Sequence, residues 1–188
     1  MRRYACLPRS HVEQEGFTLT SVQDEHIERI RQWRNAQMHA LRQSKPIEPE
    51  EQNAYYARAI WPSMASAQPD NILLSYLHGP ELLGYGGLVH ISWEHRRAEV
   101  SFLLNPELTH DDDRYAAWFV RFLSLLNEVA FLDLRLHKLH TEAYSHRVHH
   151  VRCIERAGFE FEGRLREHIL LDGKYIDSVL HARINPHE

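Results

Sequence analysis

The sequence predicts one α/β domain built on a mixed, mostly antiparallel sheet of about seven strands flanked by about four helices. Three observations carry this prediction. Three strand-like runs follow one another between residues 71 and 104, a long amphipathic helix lies between strands, and Asp172-Gly173 joins two strand-like runs near the end. A chain of 188 residues is long enough for one well-buried core and short for two.

Taken in order, residues 1–16 carry no clear period and read as an irregular arm or a poor edge strand, leaving 17–188 as the domain. Phe17 to Ser21 alternates apolar and hydroxyl side chains, as a strand does. Ser21 and Asp24 have the spacing of a capping box, and Ile27, Ile30, Met38 and Leu41 mark the helix that follows. Pro49, flanked by Glu48, Glu50 and Glu51, starts a second helix, because carboxylates suit the positive end of the helix dipole; Pro62 is expected to end it. Asn71 to His78, Leu82 to Ile91 and Ala98 to Leu104 form an antiparallel meander. From Asp111 to Phe131 the apolar residues Tyr115, Phe119, Phe122, Leu126 and Val129 recur by three and four, the period of a helix. Leu136 to Ala143 is a strand, Ser145 to Arg156 a helix and Gly158 its left-handed terminator. A strand from Phe159 leads into the closing hairpin, where Asp-Gly between alternating runs signals a two-residue turn.

Composition narrows the function. The net charge is −4 and no Lys/Arg-rich block is present, which argues against a nucleic-acid surface. Arg2 and Arg3 precede Tyr4, Pro8, Arg9 and Glu13 where a signal peptide needs an apolar run, and no membrane span is expected elsewhere. Cys6 and Cys153 show neither a disulfide framework nor metal-type spacing; two free thiols fit the cytoplasm. His146, His149 and His150 have one-sided helical spacing, but nothing supplies a third metal ligand or a second shell, so no metal is expected.

Several strings resemble the GNAT acyltransferases, in particular the branch of ribosomal-protein N-terminal acetyltransferases and bacterial amino-sugar acetyltransferases. They are Trp33-Arg34-Asn35, Leu83-Gly84-Tyr85-Gly86-Gly87-Leu88 running into Arg97-Ala98-Glu99-Val100, Glu155 to Phe159 followed by Glu162-Gly163, and Gly173 to Asp177. The resemblance implies a sheet that splays between the Glu99 strand and the strand from Leu136 to Ala143, with acetyl-CoA or another acyl-CoA as cosubstrate in the opening. Its pantetheine would lie along Phe102, Leu103 and Leu104, satisfying unpaired backbone groups as a pseudo-strand. The pyrophosphate would meet the start of the long helix.

The same resemblance implies direct attack of a primary amine on the thioester through a tetrahedral intermediate. Glu99 stands where the family keeps a strand glutamate, as base or as a partner for Arg96 or Arg97. His90 is the second candidate, since imidazole titrates near neutrality. The family's tyrosine acid falls on Ile154, which leaves Tyr144 at the strand-to-helix junction as candidate. Positions that contact coenzyme A fall on Arg147 and His150. Counted back from Ala130-Phe131, the family's phosphate-loop glycines fall at Tyr115, Ala117 and Phe119, and Asp111, Asp112 and Asp113 stand nearby with Arg114 as the neighbouring cation. Trp33, Arg34, Asn35 and Tyr56, with Tyr55 and Trp61, belong to the segment that covers the acceptor. The acceptor is an amino sugar or other small amine, or a protein N-terminus; a homodimer is open, and a binding protein with a degenerate coenzyme A site is the competing reading.

Overall fold

The computed structural model describes residues 1–41 and 43–188. Eight strands form one sheet in the order β1-β2-β3-β4-β5-β6-β8-β7. They are β1 (His11–Gln14), β2 (Phe17–Ser21), β3 (Ile72–His78), β4 (Glu81–Ser92), β5 (Arg97–Leu104), β6 (Lys138–Tyr144), β7 (Glu160–Leu171) and β8 (Lys174–Ile184). The helices are α1 (Ile27–Ala36), α2 (Pro49–Tyr55), α3 (Trp61–Ser63), α4 (Asp112–Asn127) and α5 (Val148–Arg156).

The added strand is β1. Of the two readings of the first sixteen residues, the edge strand holds: His11–Gln14 pairs antiparallel with β2, and ahead of it Tyr4 is fully buried with its phenol oxygen accepting from the Leu73 N–H at 2.9 Å. The helix-start expectation also changes. Ser21 ends β2, and the capping box is made by Gln23 and His26. α1 stops at Ala36, with Met38–Ala40 in a separate 3-10 turn. A π turn over Tyr56–Ile60 carries α2 into α3, which holds Pro62 and ends one residue after it, at Ser63.

The two faces of the sheet are covered differently. Side chains alternate along a strand, so Tyr76 and Phe102 turn to α4, where Phe102 stacks on Phe119 at 4.5 Å and Tyr76 meets Phe122 at 5.6 Å. Ser75 and Tyr85, paired across β3 and β4, turn to the α1 side, where Ser75 bonds His26 and Tyr85 bonds Arg34. Gly87 allows β4 to run close to β3: its φ is +136°, and a Cβ there would collide with the Ile72 carbonyl.

Among the described residues, Asp112–Asp133 is long and apolar enough to cross a membrane by length and composition. Its apolar side is spent on the sheet: Phe119, Phe122, Leu123, Leu125 and Leu126 are all buried. The closing hairpin forms as expected. Leu171 pairs with Lys174, and Asp172 and Gly173 both have positive φ, 49° and 76°, the type I′ geometry that Asp-Gly favours.

Candidate active site

The sheet opens where β5 and β6 meet. These strands run parallel and pair only over Arg97–Lys138, Ala98–Leu139 and Glu99–His140. Beyond Glu99, β5 stays on β4 to Leu104, while β6 stays on β8 to Tyr144. One edge of Val100 to Leu104 is therefore without a strand partner. The Gln37 side chain closes part of it by donating to the Leu104 carbonyl at 2.8 Å.

Two cavities follow this opening and share Ala40, Leu41, Phe102, Arg147 and His150 as walls. The inner one, about 200 Å³, is bordered by Glu99, Ser101, Thr141, Tyr144 and Ile154. The outer one, about 370 Å³, is bordered by Phe102, Leu103 and Leu104 on one side and by Asp112, Tyr115 and residues 146–150 on the other. A third cavity of about 370 Å³ lies on the α1 and α2 side, bordered by Arg34, Tyr55, Tyr56 and Tyr85. Val89 and Ser101 line both it and the inner cavity.

At the inner end, Glu99 lies 2.9 Å from His90 Nδ1. A β-bulge makes the pair: the β4–β5 register shifts between Val89 and Ser92, and His90 has φ +50°, which turns its ring across to the next strand. His90 is exposed, whereas the Glu99 side chain is 20% exposed, so the imidazole connects a sheltered carboxylate to solvent. His140, the strand partner of Glu99, is half-buried, and burial lowers its pKa below the usual histidine value. Arg96 is not a partner of Glu99; it pairs with Glu188. Tyr144 is buried on the same cavity wall. Ile154, at the family's tyrosine position, is buried and has no proton to give.

The outer end departs from the expected phosphate loop. Tyr115, Ala117 and Phe119 lie inside α4, which starts at Asp112. Counting back from Ala130-Phe131 therefore lands within the helix, short of the loop that precedes it. The preceding loop instead holds a 3-10 turn, Pro106–Leu108, capped by the Asn105 side chain. Asp111 caps α4 by accepting from the Arg114 N–H at 2.9 Å. Arg114 and Ala117 are exposed and border neither cavity, so the structure does not bring them together with the other predicted cofactor residues.

Tyr115 and Arg147 do reach the cleft. The Tyr115 phenol lies 2.7 Å from His150 Nδ1, and burial pushes its pKa up to about 12. His150 stacks on Phe119 at 4.7 Å, and burial holds it well below the usual histidine pKa, so the ring is neutral at pH 7. The three histidines do not converge on one point. His149 bonds the Asp112 carbonyl at 3.0 Å, and the His146 ring lies against Tyr144. Among the described residues no cluster of His, Cys, Asp and Glu has the geometry of a metal site.

The segment expected to cover the acceptor divides by role. Arg34 and Tyr56 line the third cavity. Trp33 is buried in the core. Asn35 ties down the loop after α1, accepting from the Ile47 N–H at 2.8 Å and donating to the Ile47 carbonyl at 2.9 Å. Sequence reasoning missed the Tyr115–His150 bond, since thirty-five positions separate the two residues, and the free Thr141 hydroxyl. Neither has a signal in local spacing.

A mixed sheet whose parallel pair parts beside a sheltered carboxylate, with a cleft running out to two helix starts, defines the acyltransferase class of fold. The chain belongs to the GNAT acetyltransferase domain family, whose model matches residues 19–180. Solved structures agree on the fold. The spermidine N-acetyltransferase of Vibrio cholerae, in complex with CoA and spermine, superposes with a TM-score of 0.76 at 22% identity, covering 92% of this chain and 97% of that one. A dodecameric structure of the Vibrio cholerae spermidine N-acetyltransferase gives 0.74 at 21% identity, covering 92% and 95%.

Proposed function

We propose that the protein is an acyl-CoA-dependent N-acetyltransferase for a small primary amine. One observation carries this reading: β5 and β6 separate immediately beyond Glu99, whose carboxylate borders the resulting slot and is bonded on its solvent side to His90.

The residues present suit an acyl-CoA. The unpaired edge at Phe102 and Leu103 offers backbone groups to the amides of a pantetheine arm. Phosphates need a different explanation from the family's loop, because Asp112 borders the outer cavity. Arg147, on the wall made by the start of α5, supplies the positive charge instead, and the His146 and His149 rings beside it are further hydrogen-bonding groups. The bound acyl-CoA supplies an activated thioester carbonyl.

The chain's own groups then manage protons. An amine must be neutral to attack, and Glu99 takes its proton while His90, exposed beside it, passes the charge to solvent. The Tyr144 phenol on the inner wall returns a proton to the sulfur that leaves. Cys6 and Cys153 are free thiols, as a reducing compartment keeps them, and we assign the reaction to the cytoplasm.

A small amine suits the third cavity better than a protein N-terminus does, because α2 and the loop at Ile47 wall it on one side and limit it to about 370 Å³. The test is thiol release from acetyl-CoA with a panel of primary amines. Amine-dependent release, strongly reduced in Glu99→Gln, is the expected result. Binding of acetyl-CoA without release for any amine or N-terminal peptide would favour the binding-protein reading.

A further inference from the structure

The third cavity carries a charge that no described residue neutralises, and this bears on the acceptor. Arg34 reaches it from α1 and donates to the Tyr85 phenol at 2.8 Å. A guanidinium stays protonated at any physiological pH and has five N–H donors. Among the described residues no carboxylate pairs with Arg34. The nearest candidate on the cavity wall, Glu51, is committed elsewhere: Lys45 donates to it at 2.7 Å and the Glu48 N–H at 3.1 Å. Around Arg34 the wall is phenolic or neutral, from Tyr55, Tyr56, Tyr85 and Gln52. Tyr56 is buried, and burial raises its pKa far above the usual phenol value, so it supplies no negative charge.

A half-buried guanidinium with donors to spare and no counter-ion is a site for an anion. Its position decides which anion. The cavity and the Glu99 cavity are neighbours with Val89 and Ser101 as common walls, which sets Arg34 beside the place where an amine would meet Glu99. We infer that the acceptor is a primary amine that also carries an anionic group, a carboxylate or phosphate, held by Arg34 and the phenols around it. This rests on the acyltransferase reading above and narrows it. It also separates this chain from its structural neighbours named for spermidine, since a polycation entering here would meet an uncompensated positive charge.

Matched amines isolate the charge. Acetyl-CoA thiol release is measured with glucosamine against glucosamine 6-phosphate, with 3-aminopropanol against β-alanine, and with spermidine alone. The phosphate and carboxylate pairs also distinguish the two anions. The anionic member of at least one pair is expected to exceed its neutral partner by about ten- to a hundredfold in kcat/KM, the range of a charge-assisted hydrogen bond. Arg34→Gln can keep a donor for Tyr85 while removing the charge, and it should collapse that ratio toward one, with its Tm checked to show that it folds. Equal rates within both pairs, or spermidine as the best acceptor, would overturn the inference while leaving the acyltransferase reading standing. An unchanged ratio in a folded Arg34→Gln would also overturn it. No release with any amine overturns both.

Discussion

The two ends of the cleft are built to different standards. At the inner end, a β-bulge and a three-pair parallel contact place Glu99, His90 and His140 together on adjacent strands, and little latitude remains for any of them. At the outer end, the helix start that would hold a phosphate carries Asp111 as its cap and Asp112 on the wall, and Arg147 stands across the cleft at the start of α5. The contrast follows from what each end must do. Proton transfer requires contact within hydrogen-bond range, so its groups are fixed by strand register. Phosphate binding requires positive charge and donors nearby, which a different helix can supply.

Breaking the inner end should have the largest effect. Glu99→Gln should lower kcat by about a hundredfold or more, while acetyl-CoA still raises the Tm; unchanged turnover in steady-state assays would remove Glu99 as base. His90→Ala should cost less, about tenfold, because bulk water can accept a proton from an exposed pair.

Breaking the outer end should change affinity and leave chemistry alone. Arg147→Ala should raise the acyl-CoA KM by about tenfold or more with kcat little changed, the loss of one charged contact. Arg114→Ala, on the solvent side of α4, should leave both parameters where they are. Equal effects of the two substitutions would return the phosphate site to the start of α4. Asp112→Asn sharpens the comparison in the other direction and should lower the KM a few-fold by removing a nearby negative charge.

The smallest effect is on stability. Burial lowers the folded-state pKa of His150 beneath its usual 6.5, so the unfolded chain binds more protons once the pH drops below that value. The stability from this group is thus present above about 6.5 and lost progressively as pH falls toward the folded pKa. His26 and His140 are shifted by burial in the same direction and add to it. His150→Phe, which keeps a ring against Phe119, should flatten the fall of Tm between neutral pH and pH 5. An identical pH profile in that variant would show that His150 takes up its proton in the folded state as readily as in the unfolded chain.

Which features could be read in advance follows the same division. The α4 period, the meander and the Asp172-Gly173 turn are legible because each is fixed by neighbours in sequence. Glu99 and His90 could be proposed separately from their strands, but their contact depends on a bulge with a positive φ at a non-glycine residue, which alternation does not announce. β1 was hard to read for a related reason. It is a four-residue edge strand, HVEQ, with one buried apolar side chain, too short to set a period. The phosphate loop is misplaced because a count back from Ala130-Phe131 does not tell how far α4 extends toward its N-terminus; the helix begins at Asp112, ahead of all three counted positions. Tyr115–His150 joins two helices through a tertiary bond, and only their packing brings it about.

The most direct test of an acyl-CoA cleft with a relocated phosphate site is a thermal-stability titration with acetyl-CoA on the wild-type chain and on Arg147→Ala. A ligand that binds only the folded state stabilises it by about 2.7 kcal/mol at a hundred times its Kd. The wild-type Tm should therefore rise steadily with acetyl-CoA, and the Arg147→Ala curve should shift to higher ligand concentration. A wild-type Tm that does not move at millimolar acetyl-CoA would contradict the account.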